Sequence, residues 1–209
     1  MAIPSADIIV VAPDRGRSEC SHSVTNTRPL NVRQIRPHWY SVDGTPVDCV
    51  RAALASITQP DLVFSGINAG ANLGTNLMIS GTFAAAREAA LQGYHAMAIS
   101  HYRRPDVPKD WEHCPRWLKR PIADFVAATK ASQTALLWNA NLPAIDSKTE
   151  MPPIQECCVD QCPIPRQAVR DGDELKFTLD FHGRPRGAGT DVDLCFAGNL
   201  TISKLTPFV

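Results

Sequence analysis

The residues best equipped for chemistry lie between Asp61 and Gly93, in DLVFSGINAGANLGTNLMISGTFAAAREAALQG. Asparagines at Asn68, Asn72 and Asn76 are interleaved with glycines at Gly66, Gly70 and Gly74, and the stretch turns into Ser80-Gly81-Thr82. Asparagine carbonyls are neutral oxygen ligands of the kind a hard cation such as magnesium or manganese accepts. The hydroxyls of Ser80 and Thr82 suit phosphate oxygens, as do the unpaired amides of a helix that starts there. Gly81 would let such a ligand approach the backbone. The same residues also compose an ordinary glycine-rich turn capped by Ser80, and composition alone leaves both readings open. Neither G-x-G-x-x-G nor G-x-x-x-x-G-K-[ST] occurs, so dinucleotide and P-loop chemistry lose support.

The elements that must position these residues follow from the flanking pattern. Leu62, Val63 and Phe64 form a short apolar run of the buried parallel-strand kind. An alanine-rich helix runs from Thr82 to Leu91, with Gly93 as its stop. Strand, polar loop and helix start in that order are where an open α/β sheet places its ligand. Asp7 to Val11 reads as another buried strand, followed by a polar loop carrying Arg15, Arg17, Ser18 and His22. His22 has no partner visible in the sequence and is left outside the site. Leu30 to Ile35 and Trp39 to Val42 suggest a hairpin beside the main sheet. Thr45-Pro46-Val47-Asp48 is a capped helix start, in which Asp48 is a capping acid first and a site candidate second.

His95 to Ser100 reads as the next parallel strand, and residues 101 to 118 as a long ordered loop, either a substrate lid or a loop packed by its own tryptophans. A helical stripe at Ile122, Phe125, Val126 and Thr129 precedes a core strand from Ala135 to Asn141. Beyond Pro143 the chain changes to short β-like runs at Ile154 to Val159 and Leu175 to Phe181. The expected fold is one parallel α/β sheet through Ile8 to Val11, Leu62 to Phe64, Ala96 to Ser100 and Leu136 to Asn139.

Bulk composition narrows the function. Lys+Arg and Asp+Glu both number 21, so no net field attracts nucleic acid or an anionic membrane. No apolar run reaches the length of a membrane span, and the first residues lack a basic leader, which together point to the cytoplasm. Seven scattered cysteines suggest reduced thiols. Cys157, Cys158 and Cys162 lack a nearby histidine to complete a zinc pattern.

The central stretch resembles the SurE (survival protein E) family of metal-dependent 5′/3′-nucleotidases, which carry S-G-I-N-x-G-x-N-x-G followed by S-G-T. VVAPDRGRS (Val10 to Ser18), DGTPVDCV (Asp43 to Val50), GAGTD (Gly187 to Asp191) and ISKL (Ile202 to Leu205) look like the same family, in the same order. The resemblance implies a Rossmann-like, three-layer core over residues 1–143 and a C-terminal β-rich extension over 144–209 with hairpins and oligomer contacts. It implies a phosphatase for nucleoside 5′/3′-monophosphates that uses Mn2+ or Mg2+, with Ser18 and Asn68 holding the metal. Asn72, Ser80, Gly81 and Thr82 would hold the substrate phosphate, in a homodimer or homotetramer. The family opens with a strand ending in N-D-D-G, whose aspartates are its charged metal ligands, and this sequence contains no D-D pair. The catalytic acids are therefore unassigned. The expectation is a longer coding region that supplies them; the competing expectation is a shortened paralogue that binds nucleotide without turnover.

Overall fold

The computed structural model describes residues 6–208; the first five residues, part of the stretch read for a leader, lie outside it. Strand β6 (Leu137–Leu142) is buried at every position, and the main sheet is laid out on its two sides. Strand β5 (His95–His101) and then β4 (Leu62–Ala69) pair in parallel on one side. On the other side β10 (Leu200–Leu205) runs antiparallel to β6 and carries β7 (Ile154–Glu156) at the edge. The order is β4-β5-β6-β10-β7.

Alternation along β5 builds the layers, because successive side chains leave opposite faces. Met97 and Ile99 pack with Trp117, Leu118 and Phe125 of helix α3 (Cys114–Ala131). Ala96 and Ala98 face Phe83, Ala86, Ala89 and Ala90 of helix α2 (Gly81–Leu91). Small residues on both sides bring α2 close to the sheet. Helix α3 starts earlier than the proline content of 101–118 suggested. Pro115 sits in its first turn, where a missing amide costs nothing, and Pro121 is accommodated inside it.

A second sheet corrects the expectation of one continuous parallel sheet. Strand β1 (Val10–Pro13) pairs in parallel with β3 (Trp39–Val42), and β3 pairs antiparallel with β2 (Val32–Arg36) as the expected hairpin. The backbone of β1 is committed to that neighbour through Val10 N–H to His38 O and Asp14 N–H to Val42 O, each 2.8 Å. Its ladder is with β3 alone, and that of β4 with β5 alone. Ile8, expected within the strand, precedes it and is 56% exposed. The two sheets are joined through their helices, since α1 (Pro46–Ser56) packs on β1 and β3 and against α2. Helix α1 starts as its sequence specifies: Thr45 accepts the Asp48 amide and Asp48 reaches back to the Thr45 amide.

Residues after 143 divide into two groups. Strand β7, helix α4 (Asp191–Phe196) and β10 return to the main sheet. Strands β8 (Gln167–Asp171) and β9 (Glu174–Thr178) form a separate, exposed hairpin. Among the described residues no helix is long and apolar enough to cross a membrane.

Candidate functional site

The site is built from the start of α2 outward. Ser80 is its N-cap: the hydroxyl oxygen accepts the Phe83 amide at 3.0 Å, and the Ser80 carbonyl accepts the Ala84 amide. The amides of Gly81 and Thr82 take no acceptor among the described residues. They are the donors that an anion at this end of the helix would meet. Thr82 is half-buried, and its hydroxyl also lacks a protein partner among the described residues.

The loop after β1 is docked beside this start. Ser21 donates its amide to Ile79 O at 2.9 Å and its hydroxyl to Met78 O at 2.7 Å. Gly81 is what permits the approach: a Cβ there would stand 2.6 Å from Cys20 Sγ and 3.1 Å from Pro46 Cγ. The space beside Gly81 is thus filled by the protein's own loop. Ser18 lies on the same loop, exposed, near this junction. Asp14, at the loop's root, is paired with Arg17 at 3.1 Å.

Asn68 ends β4 with a fixed orientation. Its Nδ2 donates to Gly70 O at 2.8 Å, which assigns the amide and leaves Oδ1 pointing away without a protein donor among the described residues. Gly70 in turn donates to His101 O at 3.0 Å, holding the loop against β5. Asn72 is used differently. Its amide donates to Asn141 Oδ1 at 2.9 Å, its side chain donates to Ser100 Oγ at 2.7 Å, and its carbonyl accepts from Asn139 and Asn141. Buried in this network, Asn72 anchors the loop to β5 and β6.

Two further groups shape the region, and the partners of neither were visible in the sequence. His22 receives the Arg87 Nε–H on Nδ1 at 3.2 Å, so its Nε2 carries the proton that reaches Glu88 at 2.8 Å. Burial would push the Glu88 carboxyl up. Hydrogen bonds from Arg51, His22 and Gln92 outweigh it and hold the group below the usual carboxylate range. His22 is therefore a strut between the loop and α2, and its partner is 66 positions away. The second group is Asp191, the end of the GAGTD run, which accepts the amides of Gly74, Asp160 and Val192.

As a test of fit for a divalent cation, Ser18 and Asn68 supply the right element, oxygen, and no charge. Hard cations of this size are normally offset by carboxylates, and Asp14, at the root of the loop that carries Ser18, is already paired with Arg17. The two residues fit the cation's donor chemistry but do not by themselves fit its charge.

These features define a three-layer α/β protein whose candidate site lies where the loops after parallel strands meet a capped helix start. The chain belongs to the SurE family: the family described as Survival protein SurE matches residues 1–161. A relative from Nostoc sp. is 38% identical over 205 residues, covering 98% of this chain and 90% of its own length. The 5′-nucleotidase SurE of Neisseria gonorrhoeae is 42% identical over 208 residues, covering 96% of this chain and 82% of the relative. The crystal structure of the SurE protein from Aquifex aeolicus superposes with a TM-score of 0.79 at 28% identity, over 98% of this chain and 84% of that one.

Proposed function

We propose that this protein is a phosphoric monoester hydrolase of the 5′-nucleotidase type, releasing phosphate from nucleoside 5′- and 3′-monophosphates. The observation that carries the reading is the start of α2, where the Gly81 and Thr82 amides have no acceptor among the described residues and stand beside the Thr82 hydroxyl. Such a start favours a phosphate by its unpaired donors and by the helix dipole. Ser80 keeps the cap closed so that these donors stay aligned. The SurE relatives named as 5′-nucleotidases support the nucleotide as the bearer of that phosphate. Asn72 serves the substrate indirectly, by holding the loop between β4 and α2 in place.

The proposed cofactor is a divalent cation, Mn2+ or Mg2+, with Ser18 Oγ and Asn68 Oδ1 among its ligands. When bound, it would neutralise phosphate charge and activate water. The Asn68–Gly70 hydrogen bond orients the carbonyl oxygen for that role. The protein is proposed to work in the cytoplasm as a homodimer or homotetramer, with contacts built by residues after 143.

A second reading is favoured by the neutral donor set: a nucleotide-binding paralogue without turnover. The two are separated by comparing the chain as given with the same chain preceded by a strand and an N-D-D-G segment. Both should bind nucleoside monophosphate. Only the extended protein should release phosphate with metal stimulation, and Asn68→Ala in it should lower the rate by about tenfold or more, at least the effect of losing a group that only supports a metal ligand. Equal metal-dependent rates from both proteins would overturn the assignment of Ser18 and Asn68. Binding without turnover by the extended protein would establish the second reading.

A further inference from the structure

On the α3 side of the sheet, away from Asn72 and its network, three metal-ligating side chains meet in the interior. His101, His113 and Cys114 are each at most 4% exposed, and their ligand atoms lie within 4.8 Å of one another. Among the described residues no other group of histidines, cysteines and acids converges this way. His101 closes β5, while His113 and Cys114 open α3, so the cluster pins the ends of the 102–113 loop together.

The hydrogen bonds fix where the protons are. His101 Nδ1 lies 2.8 Å from the Tyr102 carbonyl, which can only accept, so Nδ1 carries the hydrogen. His113 Nδ1 lies 2.7 Å from Asp110 Oδ1. An aspartate carboxylate ionised at neutral pH only accepts, so this Nδ1 carries the hydrogen as well. In neutral rings both Nε2 atoms are then bare lone pairs, and they face each other at 2.7 Å. Cys114 Sγ stands 3.8 Å from the same His113 nitrogen. Two such nitrogens at this distance need a positive centre between them, either a proton carried by one ring or a metal ion.

We propose that His101 Nε2, His113 Nε2 and the Cys114 thiolate form a zinc site. Two imidazoles and one thiolate are a borderline-soft set that suits zinc and does not suit magnesium or manganese. The outer partners are already present: Tyr102 O and the Asp110 carboxylate hold both rings in the ligating tautomer, as metal-bound histidines require. Zinc–nitrogen bonds of about 2.0 Å at a tetrahedral angle set the nitrogens roughly 3.3 Å apart, so the rings need only part by about 0.6 Å. Binding displaces the thiol proton to solvent, Zn2+ plus Cys–SH giving the zinc thiolate and H+. The thiolate and Asp110 then match the two charges of the ion. Because His101 O also receives the Gly70 amide, the site would stiffen the start of the loop that follows Asn68.

The experiment is to strip the full chain with a chelator and titrate it with Co2+ under reducing, anaerobic conditions. One equivalent should produce a thiolate-to-cobalt charge-transfer band that Zn2+ abolishes by displacement and Mg2+ or Mn2+ leaves intact. Cys114→Ser should lose the band, and a chain with Cys157, Cys158 and Cys162 all changed to serine should keep it. Asp110→Ala should weaken Zn2+ binding by about 10- to 100-fold. Absence of the band from the parent chain overturns the proposal, whatever the variants do. So does a band that survives Cys114→Ser, or one that disappears from the triple serine chain.

Discussion

The Asp191 carboxylate accepts the Gly74 amide at 2.9 Å, across 117 positions of sequence. Its other oxygen accepts the amides of Asp160 and Val192, each at 2.8 Å. The group is fully buried, and burial pushes its carboxyl up despite the three donors. One side chain thus ties the start of α4, the 157–161 segment and the loop before α2 into one body. Gly74 turns with φ +56° at the point of attachment, where a side chain would also press on Asp160 and Val192.

Asp191→Asn is expected to destabilise the protein by about 2–3 kcal/mol, because an amide NH2 must then face a backbone N–H in the interior. Urea unfolding should show a lower midpoint with an unchanged slope. A midpoint equal to the parent's would mean that the junction is held by other contacts.

Thr82→Val should weaken phosphate or nucleotide binding by about tenfold or more, the worth of one hydrogen bond to a charged group. Stability should stay within about 0.5 kcal/mol, since the shape is kept and the hydroxyl has no partner to lose among the described residues. Titration calorimetry with a nucleoside monophosphate and a thermal melt give the two readouts. Unchanged affinity would remove Thr82 from the cradle.

Asp48 should make acid stability measurable. Burial alone would raise its carboxyl, but the amides of Thr25 and Thr45 and the Thr25 hydroxyl outweigh that and lower it. A lowered folded value means that its contribution is present above the ordinary carboxylate pKa near 4 and is lost as pH falls through the folded value. Asp48→Asn should therefore cost about 1–3 kcal/mol at pH 7, and the gap to the parent should narrow in acid. A gap that is the same at pH 7 and in strong acid would rule this account out.

The β8–β9 hairpin carries the oligomer prediction. Leu175 and Phe177 share one face of β9 and are 54% and 60% exposed. Phe177→Glu should shift the light-scattering mass toward the monomer and leave the melting temperature of the core unchanged. An unaltered mass would count against this face in the proposed oligomer.

What the sequence determined by itself was local. The capping box at Thr45 and Asp48, the Ser80 cap and the strands around Leu62, Ala96 and Leu137 all follow from near neighbours, through backbone hydrogen bonds and alternating burial. The SurE stretches were equally legible, because their residue types and order are written in the chain. Tertiary structure decided what each polar residue is for. Asn68 and Asn72 look alike in sequence, yet one keeps a side-chain carbonyl without a donor among the described residues and the other is absorbed by Ser100, Asn139 and Asn141. Gly81 suggested an open approach for a ligand, and the fold fills that space with Cys20. His22 looked unpartnered until α2 brought Arg87 and Glu88 to it, and the proline-rich 101–118 segment concealed both a helix start and the meeting of His101 with His113. The partition of the strands into two sheets was also beyond reach, since a strand's own residues set its alternation but not its neighbour. The physical reason is range: caps and alternation are settled within a few residues, whereas a buried hydrogen bond is settled by whichever distant group the packing delivers to it.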